Sequence, residues 1–305
     1  MRISTQTIFE TGSARLGELQ SGLVKTQQQV SSGRRMLSPS DDPVAAARAL
    51  EVTQSQSLNT QYSLNRQHAK GALASVEGTL SSVTALLQDA KTTVIAAGNG
   101  ALSDTERGFM ATELRGRFEQ LLGLANSRDP MGNYQFSGFQ TTTPPFAEIA
   151  PGSVQYQGDP GQRLMQVDST RQMAVSNTGQ AIFQGGGQDV FETLDDLITL
   201  LQVPVVDATT NTALTAGLAT ANGNLDLALD NVLTVRASVG SRLQELDALD
   251  NAGEDRNIQY SQILSELQDL DYSQALTQLS QQQFTLEAAQ RSFVAISGLS
   301  LFNFL

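Results

Sequence analysis

The sequence predicts a mainly α fold: a long antiparallel helical bundle with paired terminal coiled-coil helices and a small β-rich inserted domain. Three observations predict it. Apolar stripes at heptad spacing occupy both ends of the 305-residue chain. Further stripes at steps of three and four fill most of the chain between them. One central stretch breaks that period with Pro, Gly and short β-prone runs.

The elements follow in order. Phe9, Gly12, Leu16, Leu19, Leu23, Thr26 and Val30 form the first stripe, and Tyr272, Ala275, Leu279, Gln282, Leu286, Ala289, Phe293 and Ile296 form the last. Helices carrying these stripes would be about 33 and 37 Å long, so their lengths match. A single stripe cannot be buried alone, and the opposite end of the chain is the nearest partner. Both seams are weak, with poor layers at Gly12, Thr26 and Gln282 and flanks of Gln, Ser and Thr. Coiled coils usually pin their pairing with flanking Glu and Lys. Two outcomes are open: an intramolecular coiled coil, or a loose pair that orders when assembly buries more surface. The chain closes on Leu299, Leu301, Phe302, Phe304 and Leu305. Such a patch marks an interface, to be covered by another subunit, a chaperone or the protein's own core.

Between the ends, Leu37–Pro43 is expected to break the first helix, with Ser and Asp suited to capping. A long helix then runs from about Val44 to Ala97, with its cleanest stripe at Leu73, Val76, Leu80, Val83, Leu87, Ala90 and Val94. Gly98-Asn-Gly100 stops it. Ser103 and Glu106 have capping-box spacing, and the next helix presents Met110, Leu114, Phe118, Leu121 and Ala125, ending near Asp129-Pro130. Strands are expected at 134–136, 154–156, 164–167 and 173–175, separated by turn signals. Gly185–Gly187 reads as a linker. Helix resumes at Asp189 and runs to about Gln202, and another long stripe extends from Leu218 through Leu267. Asp271 is placed to cap the last helix. The expected organisation is a terminal domain of residues 1–43 with 271–305, a helical rod of 44–130 with 188–270, and a β-rich outer insert, 131–187.

Composition narrows the function. Cysteine and tryptophan are absent, histidine occurs once at His68, and aromatics make up 6%. These counts exclude disulfides, thiol chemistry and multi-histidine sites, and they predict a thin, aliphatic core. Residues 1–130 carry 13 Lys+Arg against 12 Asp+Glu, whereas 131–305 carry 6 against 19. The net charge of -12 disfavours nucleic acid and anionic membrane as partners. The charge asymmetry could let unlike surfaces attract within or between chains. No apolar run is long enough to span a membrane, and the first ten residues do not have the layout of a secretory signal peptide. The acid pairs Asp41-Asp42, Asp195-Asp196 and Glu254-Asp255 read as caps or solvated faces, because adjacent helical residues diverge by about 100°. No metal-ligand spacing, phosphate loop or catalytic motif appears, so no cofactor and no enzymatic activity are expected.

An ordered set of motifs then resembles a known family. Arg2-Ile-Ser-Thr5, the run QQQVSSGRR at 27–35 and PSDDP at 39–43 resemble the N-terminal signature of the bacterial flagellin superfamily. DPMGNYQFSG at 129–138 and YQGD at 156–159 resemble its hook–filament junction branch, with Gln135 standing where an apolar residue is usual. VRASVGSRLQELD at 235–247, LQDLDYSQAL at 267–276 and the ending LSLFNFL complete the set. The resemblance implies a motility protein exported unfolded by the flagellar type III apparatus and held in the cytoplasm by an export chaperone. It further implies assembly as a ring of identical subunits between the first hook-associated protein and flagellin. In that setting Phe9, Leu16, Leu19, Leu23, Val30, Leu279, Leu286, Phe293 and Ile296 would form the assembly interface. The patch at Leu299, Leu301, Phe302, Phe304 and Leu305 would serve the chaperone and assembly. A filament flagellin and a secreted coiled-coil adhesin or scaffold are the alternative readings.

Overall fold

The computed structural model describes residues 5–297. Seven helices and four strands follow one another among these residues: α1 (Thr5–Ser32), α2 (Pro43–Ala97), α3 (Asp104–Ala125), β1 (Phe146–Ala150), β2 (Ser153–Tyr156), β3 (Leu164–Asp168), β4 (Arg171–Ala174), α4 (Gly179–Phe183), α5 (Val190–Gln202), α6 (Ala208–Gln268) and α7 (Tyr272–Ser297). The mainly α class is as expected. Two compact units emerge. One contains the described residues through Asn59 and from Glu254, and the other is Thr60–Gly253. Helices α2 and α6 contribute to both.

Helix ends obey local chemistry. The Ser103 side chain accepts from the Glu106 N–H, while Glu106 accepts from the Ser103 N–H, completing the capping box of α3. Asp189 accepts from the N–H groups of Phe191 and Glu192 at the start of α5, and Asp271 accepts from Gln274 N–H at the start of α7. The first helix stops earlier than Pro39 would require. Gly33 follows Ser32 at φ +70, the left-handed turn that suits glycine. Pro43 opens α2 as its first residue, where a missing N–H costs nothing. Helix α3 also ends before Asp129-Pro130, at the Asn126 cap.

The Thr60–Gly253 unit holds the main core. The α2 stripe at Leu73, Val76, Leu80, Val83, Leu87, Ala90 and Val94 is buried, as are Leu114, Phe118 and Leu121 of α3 and Leu225, Val232, Val239 and Leu246 of α6. The expectation of an aliphatic core fails at one place. Phe118, Phe136, Phe146, Phe183 and Phe191 are fully buried and meet at centroid distances of 5.3–6.0 Å, several edge to face. A low aromatic content does not prevent a local aromatic cluster when the few rings converge.

The insert is less regular than its sequence suggests. β1 pairs antiparallel with β2, Phe146 opposite Tyr156, and β3 pairs with β4, Leu164 opposite Ala174. The run 134–136 is not a strand. Tyr134 bridges to Arg128, Phe136 drops into the aromatic cluster, and Gly138 turns the chain at φ +71. Strand β1 and the single-turn helix α4 arise where only turn and strand signals were legible. Gln135 is buried, and its amide is fully used. It donates to Ser75 Oγ (2.8 Å) and the Arg128 carbonyl (3.3 Å) and accepts from Thr79 Oγ (3.2 Å). A buried polar group is tolerated when its hydrogen bonds are made. Polar clamps fix the second hairpin: Asn65 donates to the Gln166 carbonyl, Arg66 to the Val167 carbonyl and Arg171 to both oxygens of Glu245. Arg66 is 1% exposed and also pairs with Asp250.

Candidate functional site: the terminal helix pair

Helices α1 and α7 pack together in antiparallel fashion. Three glycines record the register. A Cβ on Gly12 would lie 2.7 Å from the Phe293 ring, one on Gly22 would meet Gln282 Nε2 at 3.9 Å, and one on Gly33 would lie 2.8 Å from Tyr272 Oη. From Gly12 to Gly33 the chain advances 21 residues while its partner retreats 21 along α7, from Phe293 to Tyr272. Gly12 is therefore no random weak layer, because its missing side chain admits the Phe293 ring. Phe9 and Phe293 lie 5.2 Å apart, tilted at 44°.

The pair is anchored at its base. Arg35 N–H donates to the Gln268 carbonyl, Leu270 N–H donates to the Gly33 carbonyl, and Arg34 and Asp269 form an antiparallel bridge. Lys25 pairs with Asp41 at 2.6 Å and Arg35 with Asp42 at 3.2 Å. The Lys25 hydrogen bond, with the N–H groups of Leu37 and Ser38, holds the Asp41 carboxyl below its ordinary range. Asp42 is held low first by Ala45 N–H at the α2 start and then by Arg35. Both carboxylates of this acid pair therefore serve the turn and the cap.

Along the seam, Thr26 and Ala275 are buried. Leu16, Leu19, Leu23, Val30, Leu279, Leu286 and Phe293 are half-buried, and Phe9 and Ile296 are exposed. The structure thus brings the seam residues of both helices onto one antiparallel contact without drying it. Gln282 is a weak layer, since its buried Oε1 has no hydrogen-bond partner. Off the seam, Phe284 is 74% exposed, Val294 68% and Val24 50%. These off-seam residues escaped the sequence reading because the heptad template assigns them to solvent. Leu299, Leu301, Phe302, Phe304 and Leu305 lie outside the described residues.

Elsewhere the candidate chemistry disperses. His68 is exposed on α2, and Asp195 lies 3.8 Å from Arg115. Among the described residues there is no cluster able to hold a metal ion and no helix long and apolar enough to cross a membrane.

Comparison with known proteins places this helical arrangement. Residues 3–141 match the bacterial flagellin N-terminal helical region. The chain is 37% identical to flagellar hook-associated protein 3 of Escherichia coli, over 99% of both sequences. The chain belongs to the flagellar hook-associated protein 3 family. A flagellar hook-associated protein of Vibrio parahaemolyticus, 28% identical, superposes with a TM-score of 0.68 over 75% of this chain and all of that one. The flagellar junction protein FlgL of Legionella pneumophila, 20% identical, shares the fold with a TM-score of 0.65, covering 73% of this chain and all of the other. Membership of the family makes the chain a component of the flagellum.

Proposed function

We propose that the protein is a non-catalytic, structural subunit that joins the flagellar hook to the filament as a ring of identical copies. Its immediate neighbours are the first hook-associated protein on one side and flagellin on the other. Before export, a cytoplasmic chaperone shields the C-terminal patch at Leu299, Leu301, Phe302, Phe304 and Leu305. In the assembled ring the terminal helices lie innermost, the helical rod surrounds them, and residues 131–187 face outward.

One observation carries the assembly mechanism: the seam of α1 and α7 is only half-buried and is flanked by open Phe284, Val294 and Val24. Full burial of a Leu or Phe side chain yields about 1.5–3 kcal/mol, so completing one that is already largely covered yields about 0.5 kcal/mol. Several such residues per subunit, repeated around a ring, outweigh the ordering cost of association. Leu16, Leu19, Leu23, Val30, Leu279, Leu286 and Phe293, with Phe9 and Ile296, are the residues that gain.

Deletion of the gene tests the reading. Cells should keep their hooks, lose their filaments and spill flagellin into the medium, and the intact gene should restore swimming. Normal filaments in the deletion strain would refute it. Growth of long filaments from the purified protein alone would identify a filament subunit instead.

A further inference from the structure

Within the Thr60–Gly253 unit, Arg163 is a cation held in place without a counter-charge. Its N–H donates to Ser176 Oγ and its carbonyl accepts from Val175 N–H, both at 2.9 Å, so its backbone is fixed. The side chain is half-buried and its Nε is buried without a hydrogen-bond partner. Arg115, Arg171 and Arg236 of the same unit each reach a carboxylate, whereas Arg163 forms no ion pair among the described residues. A partly desolvated guanidinium is costly unless something pairs with it.

Arg163 lines a pocket of about 210 Å³ formed with the α2 surface around Gly71 and with the Asp129–Met131 turn. Asp129 does not answer the charge, because its Oδ1 accepts from the N–H groups of Met131 and Asn133, both at 2.9 Å. The floor is open at Gly71, where a Cβ would meet nothing within 4 Å. The volume, about 210 Å³, is below the range of drug-sized ligand sites, about 300–1,000 Å³, and suits small protein side chains.

A complementary surface exists on the same chain. Glu192 and Asp196 stand one helical turn apart on α5, both exposed. Neither forms an ion pair, in contrast to Asp195 beside Arg115. Like charges at this spacing repel each other, an effect offset at Glu192 by its place in the first turn of α5 but not at Asp196. An unpaired cation and an unpaired acidic edge on different elements can meet between two copies of the chain. When that contact is heterologous, it closes into a ring if the rotation permits.

We propose that the Arg163 pocket receives the Glu192–Asp196 edge of a second copy of this chain, a lateral contact additional to the terminal helices. The proposal rests on the junction-ring reading. The cysteine-free sequence offers a direct test. Met131→Cys and Asp196→Cys, combined in the full-length chain and expressed in the deletion strain, should give disulfide-linked dimers and higher multiples in oxidised hook–filament preparations. Neither single variant should form them. Arg163→Glu should reduce filament number about tenfold through like-charge repulsion, and adding Glu192→Lys with Asp196→Lys should restore it. If the unsubstituted protein is present in the preparations but the double-cysteine variant stays unlinked, or links only to another protein, the contact is overturned and the junction reading survives. If the unsubstituted protein is missing from flagella, both fall. The cysteine test retains Arg163, so it stands even if Arg163→Glu fails to fold.

Discussion

Leu80 of α2 and Leu19 of α1 occupy equivalent places in stripes of the same period, yet Leu80 is 0% exposed and Leu19 is only partly buried. The difference lies in what surrounds each stripe. Leu80 belongs to a core shared with α3, α5, α6 and the hairpins, whereas Leu19 belongs to the two-helix contact of α1 with α7. Two helices can cover only one narrow stripe of each other, and a third surface is needed to dry the edges. Helical periodicity therefore specifies which face is apolar but leaves open how completely that face is covered. In this chain the covered stripe supports a folded unit and the uncovered one is proposed to support assembly.

The contrast can be broken most decisively at the seam. Leu286→Asp should abolish incorporation into flagella while the thermal unfolding of the Thr60–Gly253 unit stays unchanged. Immunoblots of purified hook–filament preparations and calorimetry of the soluble protein read the two effects. Normal incorporation would remove the seam from the assembly interface. In the core, Phe191→Ala removes a ring that touches Phe118, Phe146 and Phe183 and should cost about 3–5 kcal/mol in denaturant unfolding. A cost near 1 kcal/mol would mean that the aromatic cluster is no better packed than the terminal pair.

Alkaline pH sharpens the comparison further. Burial first, then the nearby Asp159 charge, push the Tyr156 phenol up to about 12. Tyr156 donates to the carbonyls of Phe136 and Asp159. Its folded value lies above the ordinary value near 10, so its stabilising contribution is complete below about pH 10 and is lost as the pH rises toward 12. Tyr156→Phe should flatten that decline in a stability–pH series, and an unchanged decline would assign it to other groups. The smallest effect is expected on the half-buried seam. Leu19→Ala should cost about 1–2 kcal/mol, below a buried leucine, because part of its surface already meets water. A loss as large as that at Phe191 would show a seam that is dry in solution.

Much of the fold was legible because its determinants are local. Ser103 with Glu106, and Asp271, were readable as caps, since a cap needs only a side chain and an N–H two or three residues away. The terminal stripes were readable from their period, and the length of α7 from the extent of that period, whereas α1 runs on past both ends of its stripe. The aromatic cluster was not. Phe118, Phe136, Phe146, Phe183 and Phe191 converge from five separate segments, and no local pattern encodes such a meeting. Gln135 misled for the same reason, because its partners Ser75 and Thr79 belong to a helix far away in sequence. Pro43 and Gly33 show how a correct signal can be misplaced: the break was visible, but glycine ends α1 and proline begins α2. The open residues Phe284 and Val294 were hidden by the heptad template itself.

By itself the sequence determined the long helices, several of their caps, the apolar face of each and the place of the insert, because each depends on interactions within a few residues of the chain. The tertiary structure decided which stripes are dry, where the phenylalanine rings gather and which charges find partners. Those outcomes depend on which surfaces meet at long range, and burial is a property of the neighbours a residue acquires and not of the residue alone.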